Sequence, residues 1–217
     1  TVATNAVLER KGATVAFIAT AGFRDLLFMQ RHDRRNIYDL FYAKPAPPVR
    51  RKDCFEAAER LRADGTIETP LDEARVRAEL IPALETGGYR AVAVCLLNAY
   101  ANPVHEALLT QAAARLNIPV SASHQILPEF REYERCSTTV VNAYLRPVMQ
   151  RYLQTLATEL QGARLSVMRS NGGVMSAARA HQEAVHTVLS GPAGGVVGAF
   201  QVARDAGYTR AITFDMG

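Results

Sequence analysis

Ala91-Val92-Ala93-Val94-Cys95-Leu96-Leu97 is an unbroken apolar run of strand length. A strand with water on one side alternates apolar and polar residues, whereas a strand apolar throughout is covered on both faces, as in a sheet between helical layers. Upstream, residues 72–85 place Val76, Leu80 and Leu84 four apart, with Asp72 as N-cap and Gly87-Gly88 as terminator, which predicts a helix. Downstream, residues 103–116 predict a second helix leading through Asn117 to a short strand at 120–123. Residues 13–20, bounded by Gly12 and Gly22, read as an earlier strand followed by a short helix over 23–29. Strands alternating with helices define the α/β class.

Outside this block the pattern is less regular. Pro45, Pro47 and Pro48 mark a loop, because proline offers no N–H to a helix or ladder. Residues 53–61 are ambiguous, their alanines and glutamates favouring a helix, and Asp64-Gly65 is a turn. Pro128 can open a helix that runs to Leu145, breaks at Arg146-Pro147 and resumes over 148–160. Strands are expected at 165–168, 185–189 and 211–214, a tight turn at Ser170-Asn171-Gly172-Gly173, and a helix over 191–206.

The 217 residues allow one large domain or two small ones at about 100–200 residues per domain. With 48% hydrophobic and 21% charged residues the chain has an ordinary globular make-up, which excludes a mostly disordered or collagen-like protein. No apolar run approaches the roughly 18 residues of a membrane-spanning helix, and no charged-then-apolar leader is present. A cytoplasmic protein without membrane or nucleic-acid partners is therefore expected. The 25 basic and 21 acidic residues leave a mild +4. The densest basic patches, Arg31-His32-Asp33-Arg34-Arg35 and Arg50-Arg51-Lys52, lack the interleaved aromatics of a nucleic-acid platform and read as solvated loops. Cys54, Cys95 and Cys136 are far apart, which fits reduced thiols better than a disulfide framework or a zinc site. The chain opens without Met on a polar stretch and stops just after an apparent core strand, so a fragment of a longer polypeptide with an incomplete active site is expected.

The most informative chemistry lies in Ser190-Gly191-Pro192-Ala193-Gly194-Gly195-Val196-Val197-Gly198. Ser190 suits an N-cap and Pro192 the first turn, yet four glycines in a helix forgo about 3–4 kcal/mol relative to alanine. Gly191, Gly194 and Gly198 share a face, which allows close approach of another backbone or of a ligand; close helix packing and a nucleotide cleft both fit. Asp215-Met216-Gly217 follows the expected last strand, where open α/β sheets bind ligands. A carboxylate there can hold hydrated Mg²⁺ while glycine amides approach phosphate, although an Asp-x-Gly turn alone is unremarkable. Asn171, Gly172 and Gly173 suit a hairpin turn or a loop that lets a ligand near the backbone. The run Glu129 to Arg135 is a solvated helix face, with Glu132 and Arg135 pairing at i,i+3, or a polar functional edge continued by Ser137-Thr138-Thr139. GxxxxGK[ST], HExxH and GxSxG are absent, and the five histidines, with no metal-ligand spacing, are assigned no chemistry.

Several long motifs in one order resemble the hydantoinase A / 5-oxoprolinase family. They are Thr4-Asn5-Ala6 with Leu8-Glu9-Arg10-Lys11-Gly12, Gly22-Phe23-Arg24-Asp25, Tyr38-Asp39-Leu40, the stretch 127–135 with Ser137 to Tyr144, Ser170 to Gly173, and Leu189 to Gly195 leading to Phe214-Asp215-Met216-Gly217. The match runs nearly end to end. The resemblance implies a piece of an actin-like ATPase (ribonuclease-H-like) fold with a mixed α/β N-terminal region, divided as 1–125 and 126–217. It implies ATP and Mg²⁺ as cofactors, a small cyclic amide such as a hydantoin or 5-oxoproline as substrate, and a hydantoinase B-like second subunit or domain as partner. Ring opening would proceed by phosphorylation of the carbonyl oxygen. By this likeness Asp215 serves Mg²⁺ and phosphate, Gly217 the phosphate loop, and Ser190, Gly191, Gly194 and Gly195 the adjoining helix. Asn171, Gly172 and Gly173 fall in the cleft, and Thr4, Asn5, Arg24 and Asp25 near the substrate. The family's first phosphate loop, of Asp-x-Gly-Gly-Thr type, is absent, and Arg31-His32-Asp33-Arg34 departs from the usual Gly-Arg-Gln. The alternatives are the ATP-using subunit of an acetone- or acetophenone-type carboxylase and a non-catalytic nucleotide-binding scaffold.

Overall fold

Residues 91–95 of the apolar run form an inner strand of a parallel sheet in the computed structural model, which describes residues 2–34, 36–161 and 164–214. The chain divides into two units, Thr1–Gly12 with Val148–Gly217, and Ala13–Pro147. Helix α1 (Val2–Leu8) opens the chain and belongs to the first of these.

The unit Ala13–Pro147 contains β1 (Val15–Thr20), α2 (Leu26–Met29), β2 (Cys54–Ala57), and the small antiparallel pair β3 (Arg60–Leu61) and β4 (Ile67–Thr69). A helical segment follows from α3 (Glu73–Arg75) through a π turn at Val76–Leu80 into α4 (Ile81–Thr86). The widened turn lies just before Pro82, whose missing N–H and bulky ring do not fit a regular α turn. Then come β5 (Ala91–Cys95), α5 (Val104–Ala113), β6 (Val120–Ala122), α6 (Ser123–Ile126) and the first part of α7 (Glu132–Glu159). The sheet order is β2-β1-β5-β6, all parallel, and β1 and β5 are buried at every residue. On one face Ile18, Val92 and Val94 pack with Ile81, Leu84 and Leu109. The other face meets α7, where the Ala13 amide donates to the Tyr144 carbonyl (2.9 Å) and Asn142 Nδ2 donates to Ser121 Oγ (2.9 Å). The α/β expectation holds, with helices on both sides of the sheet.

In the other unit, β7 (Ser166–Met168) and β8 (Val174–Ser176) form a hairpin. After it come α8 (Ala177–Gln182), a 3-10 turn at Ala184–Thr187, and α9 (Ser190–Asp205).

Several local expectations are corrected. The ambiguity over 53–61 resolves to strand at Cys54–Ala57 and Arg60–Leu61: β2 pairs with the buried β1, and that ladder outweighs helical composition. The helix expected over 23–29 shortens to α2. The long helix opens at Glu132 rather than Pro128 and passes through Pro147 without a break. Burial of Val140, Ala143, Tyr144 and Leu145 before the proline, and of Met149 and Leu153 after it, offsets a cost of about 3 kcal/mol. Residues 185–189 form no strand, because the 3-10 turn buries Ala184 and Thr187 on one side and Thr187 Oγ1 donates to the Ala184 carbonyl (2.7 Å). Residues 211–214 are not a strand either: no described residue offers them a ladder, and Ile212 is 99% and Phe214 86% exposed. Among the described residues no helix is long and apolar enough to cross a membrane.

Candidate functional site

The sheet order places a reversal at β1. The chain leaves β1 for β2 on one side and returns to β5 on the other, so the carboxyl ends of β1 and β5 form the point where open parallel sheets usually bind ligands. Here side chains close it. The Leu97 amide donates to Thr20 Oγ1 (2.9 Å), and Thr20 Oγ1 donates to Glu59 Oε1. Glu59 Oε2 meets His105 Nδ1 at 2.6 Å, while His105 Nε2 accepts from the Leu71 amide (3.4 Å), which puts the imidazole proton on Nδ1. Glu106, fully buried, accepts four bonds: from the Leu96 amide (2.9 Å), Ser123 Oγ (2.6 Å), the His124 amide (2.9 Å) and His124 Nδ1 (2.6 Å). Arg135 Nη1 donates to Ser123 Oγ (3.1 Å), and its guanidinium lies 5.4 Å from the centre of the Tyr100 ring. A carboxylate that accepts backbone N–H groups in this way occupies donors an anion would otherwise take.

These residues went unassigned in the sequence. His105 and Glu59 are 46 apart and His124 and Glu106 are 18 apart, spacings no metal or catalytic motif covers. Arg135 does not face solvent as part of a charge run paired with Glu132; it is buried and reaches Ser123, while the exposed side of the run pairs Glu134 with Arg31. Arg24 and Asp25 follow Gly22, whose φ of +86° makes the turn and whose amide donates to Glu56 Oε1 (2.8 Å). Asp25 is held by Arg51 through paired bonds of 2.6 and 2.9 Å, and that hydrogen bonding draws its carboxyl below the usual range. A cavity of about 310 Å³ beside the ends of β1 and β2 is lined by Ala21, Phe55, Leu71 and Val76, with Glu56 and Arg75 among its polar groups.

The other unit brings most of its expected site residues together. Asn171, Gly172 and Gly173 form the β7–β8 turn, with Gly172 at φ +83° and the Gly173 amide donating to Asn171 Oδ1 (3.1 Å). A Cβ on Gly172 would lie 3.2 Å from Val197 Cγ2, and one on Gly194 would lie 3.4 Å from Met168 Cγ, so hairpin and α9 are in contact. Cβ atoms on Gly191, Gly195 and Gly198, at i, i+4 and i+7, would meet no described residue within 4 Å. The open stripe is thus 191, 195 and 198, while Gly194 turns to the hairpin. Ser190 is not the N-cap: Leu189 takes that position in the left-handed region (φ 59°, ψ 18°), a cost of roughly 1–2 kcal/mol for a side-chain-bearing residue. The Leu189 amide donates to Thr4 Oγ1 (2.9 Å), which ties α1 to the start of α9. Asn5 is exposed.

Beside the turn, Glu183 pairs with Arg179 (2.8 Å) and lies 3.9 Å from Arg169 and 3.8 Å from His186, and the Ser170 amide donates to the His186 carbonyl (2.8 Å). Burial, with Arg169 nearby, lowers the pKa of His186. Asp215 and Gly217, the expected magnesium and phosphate-loop residues, lie outside the described residues. Among the described residues no group of three or more His, Cys, Asp or Glu could hold a metal ion.

Known proteins are similar to this chain along its whole length. The α subunit of caprolactamase from Pseudomonas jessenii is 35% identical over 225 residues, covering 100% of this chain and 32% of the relative. The crystal structure of that ATP-dependent caprolactamase superposes with a TM-score of 0.83 at 34% identity, again over 100% of this chain and 32% of its own. Nucleotide-free acetone carboxylase superposes with a TM-score of 0.78 at 26% identity, covering 96% and 31%. Both have the actin-like ATPase fold. 5-Oxoprolinase 1 of Arabidopsis thaliana is 34% identical over 244 residues, covering 100% of this chain and 19% of the relative. The chain spans about a third or less of the curated relatives it matches. The hydantoinase/oxoprolinase N-terminal region matches residues 1–116 and the hydantoinase/oxoprolinase region matches 135–217, and the chain belongs to the hydantoinase/oxoprolinase family.

Proposed function

We propose that this chain is part of the ATP-binding subunit of a cytoplasmic enzyme that opens a small cyclic amide, working with a hydantoinase B-like second subunit or domain. The observation that carries the reading is the open glycine stripe of α9 joined to the Asn171–Gly173 turn, in a chain similar throughout to an ATP-dependent caprolactamase. A stripe without Cβ atoms fits close approach by a phosphate chain, and the first-turn amides of a 16-residue helix favour negative charge. ATP supplies the phosphoryl group that turns the amide carbonyl oxygen into part of a leaving group. Ser190, Gly191 and Gly195 border the nucleotide, and Asn171, Gly172 and Gly173 line the same cleft. Asp215 holds Mg²⁺, with Gly217 in the phosphate loop. Thr4 acts at one remove, by holding the strained Leu189 at the entrance of α9. Arg24, Asp25 and Asn5 lie toward the substrate. The region from 126 begins the ATPase portion, and 1–125 is the family's N-terminal region.

The likeness to acetone carboxylase supports a second reading, the ATP-using subunit of a ketone carboxylase. The two separate in one assay of the whole enzyme with its partner. Ring opening predicts ADP release that depends on a lactam or cyclic imide; carboxylation predicts ketone consumption that depends on bicarbonate. Nucleotide binding with neither turnover would indicate a scaffold.

A further inference from the structure

The sealed sheet edge contains a pair of groups that the proposed reaction does not use. Cys95 ends β5 and Cys136 lies in the first turns of α7, and their sulfur atoms are 2.8 Å apart, both thiols free and buried. This is inside ordinary non-bonded contact and roughly 0.75 Å beyond the 2.03–2.05 Å of a disulfide. The neighbours matter: Leu96, next to Cys95, gives its amide to Glu106, and Arg135, next to Cys136, gives Nη1 to Ser123. Cys54, the remaining thiol, sits on β2 with its sulfur turned to the Arg50 carbonyl at 3.5 Å.

We propose that Cys95 and Cys136 are an oxidisable dithiol, a modification site at which a hydroperoxide converts the two thiols into a disulfide joining β5 to α7. In the first step the peroxide gives one oxygen to a cysteine sulfur, forming a sulfenic acid and releasing water. In the second the other thiol attacks that sulfur, the S–S bond forms, and the hydroxyl leaves as a second water. Two electrons and two thiol protons pass to one hydrogen peroxide, which becomes two waters. Burial, and then the hydrogen bond with Cys95, push the Cys136 thiol up, so little thiolate is present at neutral pH and the reaction is slow beside that of a free cysteine. Once formed, the bond fixes the strand end that presents the Leu96 amide to the helix that carries Arg135, and so locks the polar seal.

The test is exposure of the folded protein to hydrogen peroxide, alkylation of remaining thiols after denaturation, and non-reducing peptide mass mapping. The expected product is a peptide pair linking Cys95 to Cys136, two hydrogen masses below the sum of its reduced parts and removed by dithiothreitol. It persists in Cys54→Ser and disappears in Cys95→Ser and Cys136→Ser; the map of the unsubstituted protein stands alone if either of the last two fails to fold. Cross-links that use Cys54 or join two molecules instead would overturn the proposal. So would sulfinic acid at Cys136 with Cys95 still alkylatable, or both thiols still alkylatable after Cys54 has been oxidised.

Discussion

The unit Ala13–Pro147 closes its sheet edge with its own side chains, whereas α9 of the other unit leaves a glycine stripe uncovered. At the ends of β1 and β5 the backbone donors of Leu96 and Leu97 are taken by Glu106 and Thr20. On α9, added Cβ atoms at 191, 195 and 198 would meet no described residue within 4 Å. The difference teaches where space is left: the topologically favoured crevice of the first is filled by side chains that hold the unit together, and the second, built from residues with poor helix propensity, keeps one face of its helix open.

The largest effect is expected at the seal. Glu106→Ala strands four donors in a buried setting and should cost about 3–5 kcal/mol, read by chemical denaturation. A loss near that of a surface change would mean that the edge is solvated and open. Next, the two apolar β-like runs should respond to very different extents. Ile18→Ala, within the buried β1, should cost about 2–5 kcal/mol, whereas Ile212→Ala, fully exposed, should change stability by less than about 0.5 kcal/mol. A large loss at Ile212 would show that residues 211–214 pack after all. Gly195→Ala should stabilise α9 by up to about 1 kcal/mol, since the added methyl has space and alanine is the better helix former.

The smallest effect is a pH dependence beside the β7–β8 turn. The folded pKa of His186 lies below its usual 6.5, so between the two values the unfolded chain binds more protons. The contribution of His186 to stability is full above 6.5 and is lost as the pH falls through the folded value. Denaturation midpoints on either side of that window should show the loss, and His186→Gln should remove it.

Much of this was legible in the sequence because it is local. The apolar run at 91–97, the four-residue spacing of Val76, Leu80 and Leu84, and Asn-Gly at the hairpin each carry their own reason. What was illegible depends on partners far along the chain. Residues 54–57 are ambiguous in composition and become a strand because β1 lies beside them, and residues 211–214 look like a strand and find no ladder among the described residues. The pairs Glu59–His105 and Glu106–His124 exist only once the sheet has brought the β2–β3 connection, α5 and α6 to one edge. The left-handed Leu189 is equally hidden, since its amide is met by Thr4 from 185 residues away.

The most direct measurement is the affinity of the whole enzyme for magnesium ATP with and without Gly195→Ala, alongside the thermal midpoint of each. An open stripe that borders nucleotide predicts weaker binding with an undiminished midpoint. Unchanged affinity with a lowered midpoint would contradict it, and would assign the stripe to close packing against another part of the protein.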